Sequence, residues 1–229
     1  VIQCSQVYND KDGNYLTSGF EYETIWALGA NFGVTDLDQI AKIDALMDDL
    51  GLDSIETGVC LGLAVDAGLI EYGDGEKAYD LIANELANGT PLGRIIGGGT
   101  YLLGKLYGLV RVPTVKCQAI PAYEPRAVKG QGITYATTPM GADHTAGYAV
   151  ATNILNSGGY VDPLKKEGQV ELARNLQIAS AAVDSTGMCI FVAFPALDDP
   201  KCLPALIDMI NARFGISLTG DNVTNLGIG

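Results

Sequence analysis

Two six-residue stretches of the chain repeat one pattern. Asp48-Asp-Leu-Gly51-Leu52-Asp53 and Asp184-Ser-Thr-Gly187-Met188-Cys189 both run Asp-x-x-Gly-apolar-(Asp or Cys). Glycine takes the left-handed conformation that ends a helix, so each stretch reads as a helix C-terminus followed by a sharp turn. The aspartate then falls in the last helical turn, at the negative end of the helix dipole, where a carboxylate is mildly unfavourable. A local rule broken twice in the same way points to function. A carboxylate with two acceptor oxygens suits a planar partner that offers two parallel N–H donors, such as the guanidine-like edge of a pterin ring. On the motif alone, two ordinary helix endings account for the pattern as well.

Other residues could carry proton chemistry. His144, in "GADHTAG", is the only histidine. Its ordinary pKa near 6.5 suits proton transfer at neutral pH, but a structural, hydrogen-bonded histidine fits the sequence too. Glu23, in "EYET", reads on its own as a solvated carboxylate favoured at a helix start, and Glu21 reads as solvated too. Arg126, in "AYEPR", reads first as a salt-bridge partner. The glycines of "IIGGGT" lack the Lys-Ser/Thr ending and preceding strand of a phosphate loop, so a turn or close helix packing is expected there. A Cys189–His144–Asp143 hydrolase fails on geometry, because an aspartate adjacent to the histidine is poorly placed to orient its ring.

The elements that must position these residues are mostly helical. "TDLDQIAKIDALMDDLG" has Thr35 or Asp36 as its cap, Leu37, Ile40, Ile43, Leu46, Met47 and Leu50 on one face, and Gly51 as its end. "SIETGVCLGLAVDAGLI" is apolar nearly all round, as a buried helix is. Pro91 starts a further helix that Gly97, Gly98 and Gly99 interrupt. Residues 110–126 carry Pro113, Pro121 and Pro125 among β-branched residues, which excludes helix and favours extended chain. Helical signals resume in "TAGYAVATNILNSGG", "QVELARNLQIASAAVDSTG" and "CLPALIDMINARFG", and Asp221 or Asn222 begins one more helix. The expectation is an all-α, multihelical fold: a lobe over residues 1–112 and a lobe over 113–229, joined by a short extended proline-containing linker, with both ends of the chain cut short.

Composition narrows the function. The chain has 229 residues, 48% of them hydrophobic and 18% charged, as a globular protein has. A net charge of −13 disfavours nucleic acid and anionic membranes as partners. No apolar run reaches the roughly 20 residues that span a bilayer. Five dispersed cysteines do not form a secreted disulfide framework, so a reducing cytoplasm is expected.

Three stretches, in order, carry a resemblance to a known family: residues 21–58 ("EYETIWALGANFGVTDLDQIAKIDALMDDLGLDSIETG"), residues 120–147 ("IPAYEPRAVKGQGITYATTPMGADHTAG") and "DSTGMC" from 184. Together they resemble the C-terminal part of the tungsten-containing aldehyde:ferredoxin oxidoreductases, and the similarity extends over nearly the whole chain. In that family the repeated motif occurs once for each of two pterins that share one tungsten. The resemblance therefore implies that Asp48, with Gly51, Leu52 and Asp53, and Asp184, with Gly187 and Met188, each bind one pterin. It further implies that Cys189 and Cys4 are ligands of a [4Fe–4S] cluster, and that Glu23 and His144 manage protons beside the metal. Met188 replaces the usual leucine at conserved volume. Two of the four thiolates such a cluster needs are at matching positions. Cys60, Cys117 and Cys202 match none and read as small buried thiols.

The implied activity is oxidation of an aldehyde to a carboxylic acid, with tungsten (or molybdenum) held by the two pterins and electrons leaving through the cluster to ferredoxin. An N-terminal domain that covers the other faces of the pterins is the implied partner, and the 229 residues alone are expected to be inactive. A homo-oligomer stays open. One departure stands out: many family members read Arg-Gly-x-x-His where this chain reads Met140-Gly141-Ala142-Asp143-His144. Losing that cation makes a subunit acting on another substrate in a larger redox complex the first alternative. A cofactor-free helical domain that binds a protein partner is the second.

Overall fold

The computed structural model of the chain describes residues 6–192, 194–195 and 199–229. Among these, helices dominate and strands are confined to two antiparallel pairs, as an all-α fold requires. The chain forms two compact units, Val1–Ala122 and Tyr123–Gly229.

In the first unit, β1 (Val7–Asn9) pairs with β2 (Tyr15–Ser18) across a turn in which Asp10 accepts from the backbone N–H groups of Asp12 and Asn14. Short α1 (Tyr22–Ile25) runs on into a π-helical turn, Trp26–Ala30. In α2 (Leu37–Leu50), Asp36 caps the start by accepting from Asp38 N–H. Ile40, Ile43 and Met47 face the core, and Gly51 ends the helix at φ 68°. Helix α3 (Ser54–Asp66) buries Thr57 to Leu61 and is the centre of the unit. The π-helical turn, α5 (Pro91–Gly97), α6 (Gly99–Leu106) and β4 (Gln118–Ala119) all pack on it. Helix α4 (Gly75–Asp80) continues as a second π-helical turn, Leu81–Leu86. Leu28, Ile43, Leu61, Ile82 and Leu103 are fully buried in one core, each contributing about 2 kcal/mol by leaving water.

The break between α5 and α6 falls at the glycines that mark it in the sequence. Gly99 has φ +83°, and a Cβ there would lie 2.8 Å from Glu56 Oε1. The glycine thus opens room for the Glu56 carboxylate to accept from Thr100 N–H at 2.8 Å. The other Glu56 oxygen accepts from Ala119 N–H at 2.8 Å. One side chain ties α3, α6 and the β3–β4 hairpin (β3, Thr114–Val115) together. Lys116 and Cys117, at φ 52° and 70°, form the turn of that hairpin, which gives the proline-rich stretch a pair of short strands.

The second unit holds α7 (Lys129–Thr137), α8 (Val150–Asn153), α9 (Gln169–Ser185), a 3-10 turn (Ile190–Val192), α10 (Cys202–Phe214) and α11 (Gly220–Ile228). Both α7 and α11 pack on α9. A capping box between Thr219 and Asn222 starts α11 at Gly220, one residue ahead of the Asp221 start expected from the sequence. Residues 145–159 differ from expectation, since only α8 is helical there. Thr145 N–H bonds to the Asp143 carboxylate and Ala149 N–H to the Gln131 side chain, so neither feeds a helical ladder. Asn156, Gly158 and Gly159 then take positive φ and turn the chain away.

Candidate functional site

The two repeated motifs have matching geometry. Asp48 is in the last turn of α2 and Asp184 in the last turn of α9. Three residues on, Gly51 and Gly187 take φ 68° and 75°, and the backbone N–H of each donates to the carbonyl of its aspartate. Both carboxylates are exposed, and neither accepts a hydrogen bond from any described residue. A Cβ built on either glycine meets nothing within 4 Å. Each motif therefore offers two uncommitted acceptor oxygens beside an open backbone turn, which fits a flat group that brings paired N–H donors.

The motifs differ in what surrounds them. Asp53 caps α3, its carboxylate accepting from Glu56 N–H at 2.6 Å. Asp53→Ala is expected to cost about 1 kcal/mol through loss of that cap, with Asp53→Asn nearly neutral, read from urea midpoints. Asp184 lies with Asp143 and Met140 on a cavity of ≈ 830 Å³ formed by α7, α9, α11 and the 138–146 loop. Partial burial, with the Asp143 carboxylate nearby, raises the pKa of Asp184. The remaining walls include Ile133, Val170, Ile178 and Ala181, with Arg174 among the lining residues, so the pocket is largely apolar with charges of both signs around it. Met188 is half-buried and Cys189 exposed; Cys4 lies outside the described residues.

In the first unit, Glu23 is at the start of α1 and half-buried. Its Oε2 accepts from Ala122 N–H at 3.0 Å, which favours the ionised form. Burial outweighs that bond and pushes the carboxyl up to about 7. A glutamate poised there is half in its basic form at neutral pH, unlike a solvated side chain at a helix start.

His144 is half-buried in the second unit among aromatic rings. Tyr123 and Tyr148 lie 5.4 and 6.0 Å from it between centroids, and their hydroxyls meet at 2.6 Å. Its backbone carbonyl accepts from Gln131 Nε2 at 2.8 Å. Arg126 pairs with Glu124 at the surface. Cys60 is buried among apolar side chains, which lifts its thiol to about 12 and leaves it inert. Glu56, Gln131, Tyr123 and Tyr148 are the residues that sequence reasoning passed over. Only Tyr123 carried any signal, as a neighbour of Arg126 in "AYEPR".

Comparison with known proteins gives the family. The family model described as aldehyde ferredoxin oxidoreductase, domains 2 and 3, matches residues 1–228. The chain belongs to the aldehyde ferredoxin oxidoreductase family. It is 32% identical to the tungsten-containing aldehyde ferredoxin oxidoreductase of Pyrococcus furiosus, over 92% of this chain and 36% of that protein. It is 32% identical to the enzyme of the same name from Thermococcus kodakarensis, over 93% of this chain and 37% of that protein. A WOR-like subunit of an aliphatic sulfonate oxidoreductase from Pyrococcus furiosus is 25% identical over 98% of this chain and 36% of that protein. The chain thus spans little more than a third of the length of these relatives. No described helix is long and apolar enough to cross a membrane.

Proposed function

We propose that this chain is the helical, cofactor-holding part of a cytoplasmic enzyme that oxidises an aldehyde to a carboxylic acid and passes the electrons through a [4Fe–4S] cluster to ferredoxin. The overall change is RCHO + H2O → RCOOH + 2 H⁺ + 2 e⁻. A tungsten (or molybdenum) bis-pterin, when bound, supplies the two-electron oxidation. Asp48 and Asp184 each accept from the N–H edge of one pterin, with the open turns at Gly51-Leu52 and Gly187-Met188 letting the ring approach. Glu23 takes a proton as water adds, since its carboxyl titrates near neutrality. His144 handles the other proton within its tyrosine pair. Cys189, together with Cys4, contributes thiolates to the cluster, and an N-terminal domain like that of the longer relatives covers the exposed side of both pterins.

The observation that carries this reading is the matched pair of exposed, uncommitted aspartates before left-handed glycines. The test is the metal content of the full-length gene product, purified anaerobically, beside its Asp48→Ala and Asp184→Ala variants. Tungsten or molybdenum and iron in the parent, with the group-six metal depleted severalfold in both variants, is the expected result. A folded parent that holds neither would leave two ordinary helix ends on a protein-binding domain. One feature bears on the substrate within the same chemistry: Met140, 62% exposed, and Asp143 stand on the cavity that Asp184 lines, and Arg174 lines it too, so a cation is at hand for an anionic substrate beside apolar walls that suit a neutral one. Turnover of a panel of neutral and acidic aldehydes, with sulfonates included, decides between the two.

A further inference from the structure

His144 sits in a loop, yet one side chain anchors that loop at two points. Gln131, on α7, is fully buried. Its Nε2 donates to the His144 carbonyl at 2.8 Å, and its Oε1 accepts from Ala149 N–H at 2.9 Å. A buried carboxamide that loses either bond pays the desolvation of the orphaned group, so the two bonds hold together. The surroundings leave Gln131 no other place. Gly130, just before it, packs so closely that a Cβ there would lie 2.7 Å from Gln169 Oε1, 2.8 Å from Asn153 Oδ1 and 2.9 Å from Ala149 Cβ. Tyr148, inside the stapled segment, brings its hydroxyl to Tyr123, and Tyr135, fully buried on α7, donates to the Tyr123 carbonyl at 2.9 Å. The backbone of Tyr123 is therefore tied to α7, the helix that also holds the segment of His144 and Tyr148, and the two hydroxyls join the flanking rings to each other.

We infer that Gln131 is a positioning residue for His144: its carboxamide staples residues 144 and 149 to α7 and so fixes the imidazole between Tyr123 and Tyr148. Its consequence for catalysis rests on the proton-handling role given to His144 above, but the staple itself does not. A mobile loop would scatter the imidazole over many orientations, whereas proton transfer needs it within about 0.5 Å of one position.

Because His144 is the only histidine, the 229-residue chain labelled with [13Cε1]-histidine gives a single imidazole NMR signal, displaced by the currents of the two flanking rings. Gln131→Met removes both bonds, and its imidazole signal should move toward that of an unstructured histidine. Gln131→Glu is the rescue. A carboxyl in that buried position is neutral at low pH and keeps one donor and one acceptor. As pH rises it ionises and loses the donor to the His144 carbonyl. The expected result is a parent-like signal at low pH that departs through an extra inflection absent from the parent. A folded Gln131→Glu chain whose imidazole signal follows the parent at every pH overturns the inference. If ionisation unfolds the chain, hydrogen exchange at Ala149 in the unaltered protein decides: protection like that of α7 supports the staple, and exchange at open-loop rates overturns it. These readouts stand whether or not the full-length protein oxidises aldehydes; that failure would show in the metal content and turnover instead.

Discussion

Glu23→Gln is expected to lower kcat of the full-length enzyme by about 10²–10⁴-fold, the usual loss when a general base is removed. The same substitution should make the protein more stable above neutral pH. The two effects share one cause. Glu23 is half-buried and accepts from Ala122 N–H, and burial lifts its carboxyl from 4.5 to about 7. Below pH 4.5 the group is protonated in both folded and unfolded chains and leaves their balance unchanged. Between 4.5 and 7 the folded chain binds more protons than the unfolded one, so stability falls as pH rises, and above 7 the loss is complete. Glutamine cannot ionise, and its amide oxygen still accepts from Ala122 N–H. Urea midpoints of parent and variant should coincide near pH 4.5, diverge in the variant's favour up to pH 7, and stay parallel beyond. A variant no more stable at pH 8 than the parent would show that Glu23 is as well solvated in the folded chain as in the unfolded one. A pH–rate profile supplies the other half: the parent's acid limb should have its midpoint near 7 and be missing from the residual activity of the variant.

That a glutamate proposed as general base should weaken the fold around it bears on what could be read from the sequence. The helices were legible because their signals are local. Asp36 and Gly51 bound α2 as cap and left-handed stop, and Pro91 with Gly97 to Gly99 marks the α5–α6 break. The paired motif was legible for the same reason, as each copy lies within six residues. What raises the pKa of Glu23 was not legible. Its neighbour Ala122 is 99 positions away, and the burial that moves its pKa belongs to the packed unit rather than to "EYET". Glu56 hides in the same way: "SIETG" reads as the first turn of an apolar helix, and its partners Thr100 and Ala119 are 44 and 63 residues distant. Residues 145–159 read as a helix because Gln131, outside the segment, takes the N–H that would have extended it.

Gly58→Ala should be a damaging single-methyl change in the first unit. Alanine is ordinarily the better helix former by about 0.5–1 kcal/mol, and Gly58 lies in the interior of α3. Here a Cβ would lie 2.7 Å from the carbonyl carbon, the carbonyl oxygen and the Cβ of Ala27. Those atoms are the backbone and stub of the π-helical turn, which cannot swing aside as a side chain can. Helix α3 must move off the turn, and the Asn31 bond to the Gly58 carbonyl, 2.9 Å, is stretched with it. Overpacking costs about 1–3 kcal/mol, and backbone opposition puts this position at the upper end. Gly62→Ala, one turn further along the same helix, is the internal control. Its Cβ would meet Asn31 Nδ2 at 2.5 Å, the far end of a side chain that can rotate away at the loss of its bond to the Gly58 carbonyl. The urea midpoint should therefore drop more for Gly58→Ala than for Gly62→Ala, at an unchanged m-value. Equal losses at both positions would mean that α3 and the π-helical turn separate easily. The difference matters for function because the turn is continuous with α1, which carries Glu23. A wedge between α3 and the turn shifts Glu23 relative to Ala122 N–H, so a folded Gly58→Ala protein should also show the acid limb of its pH–rate profile displaced from 7.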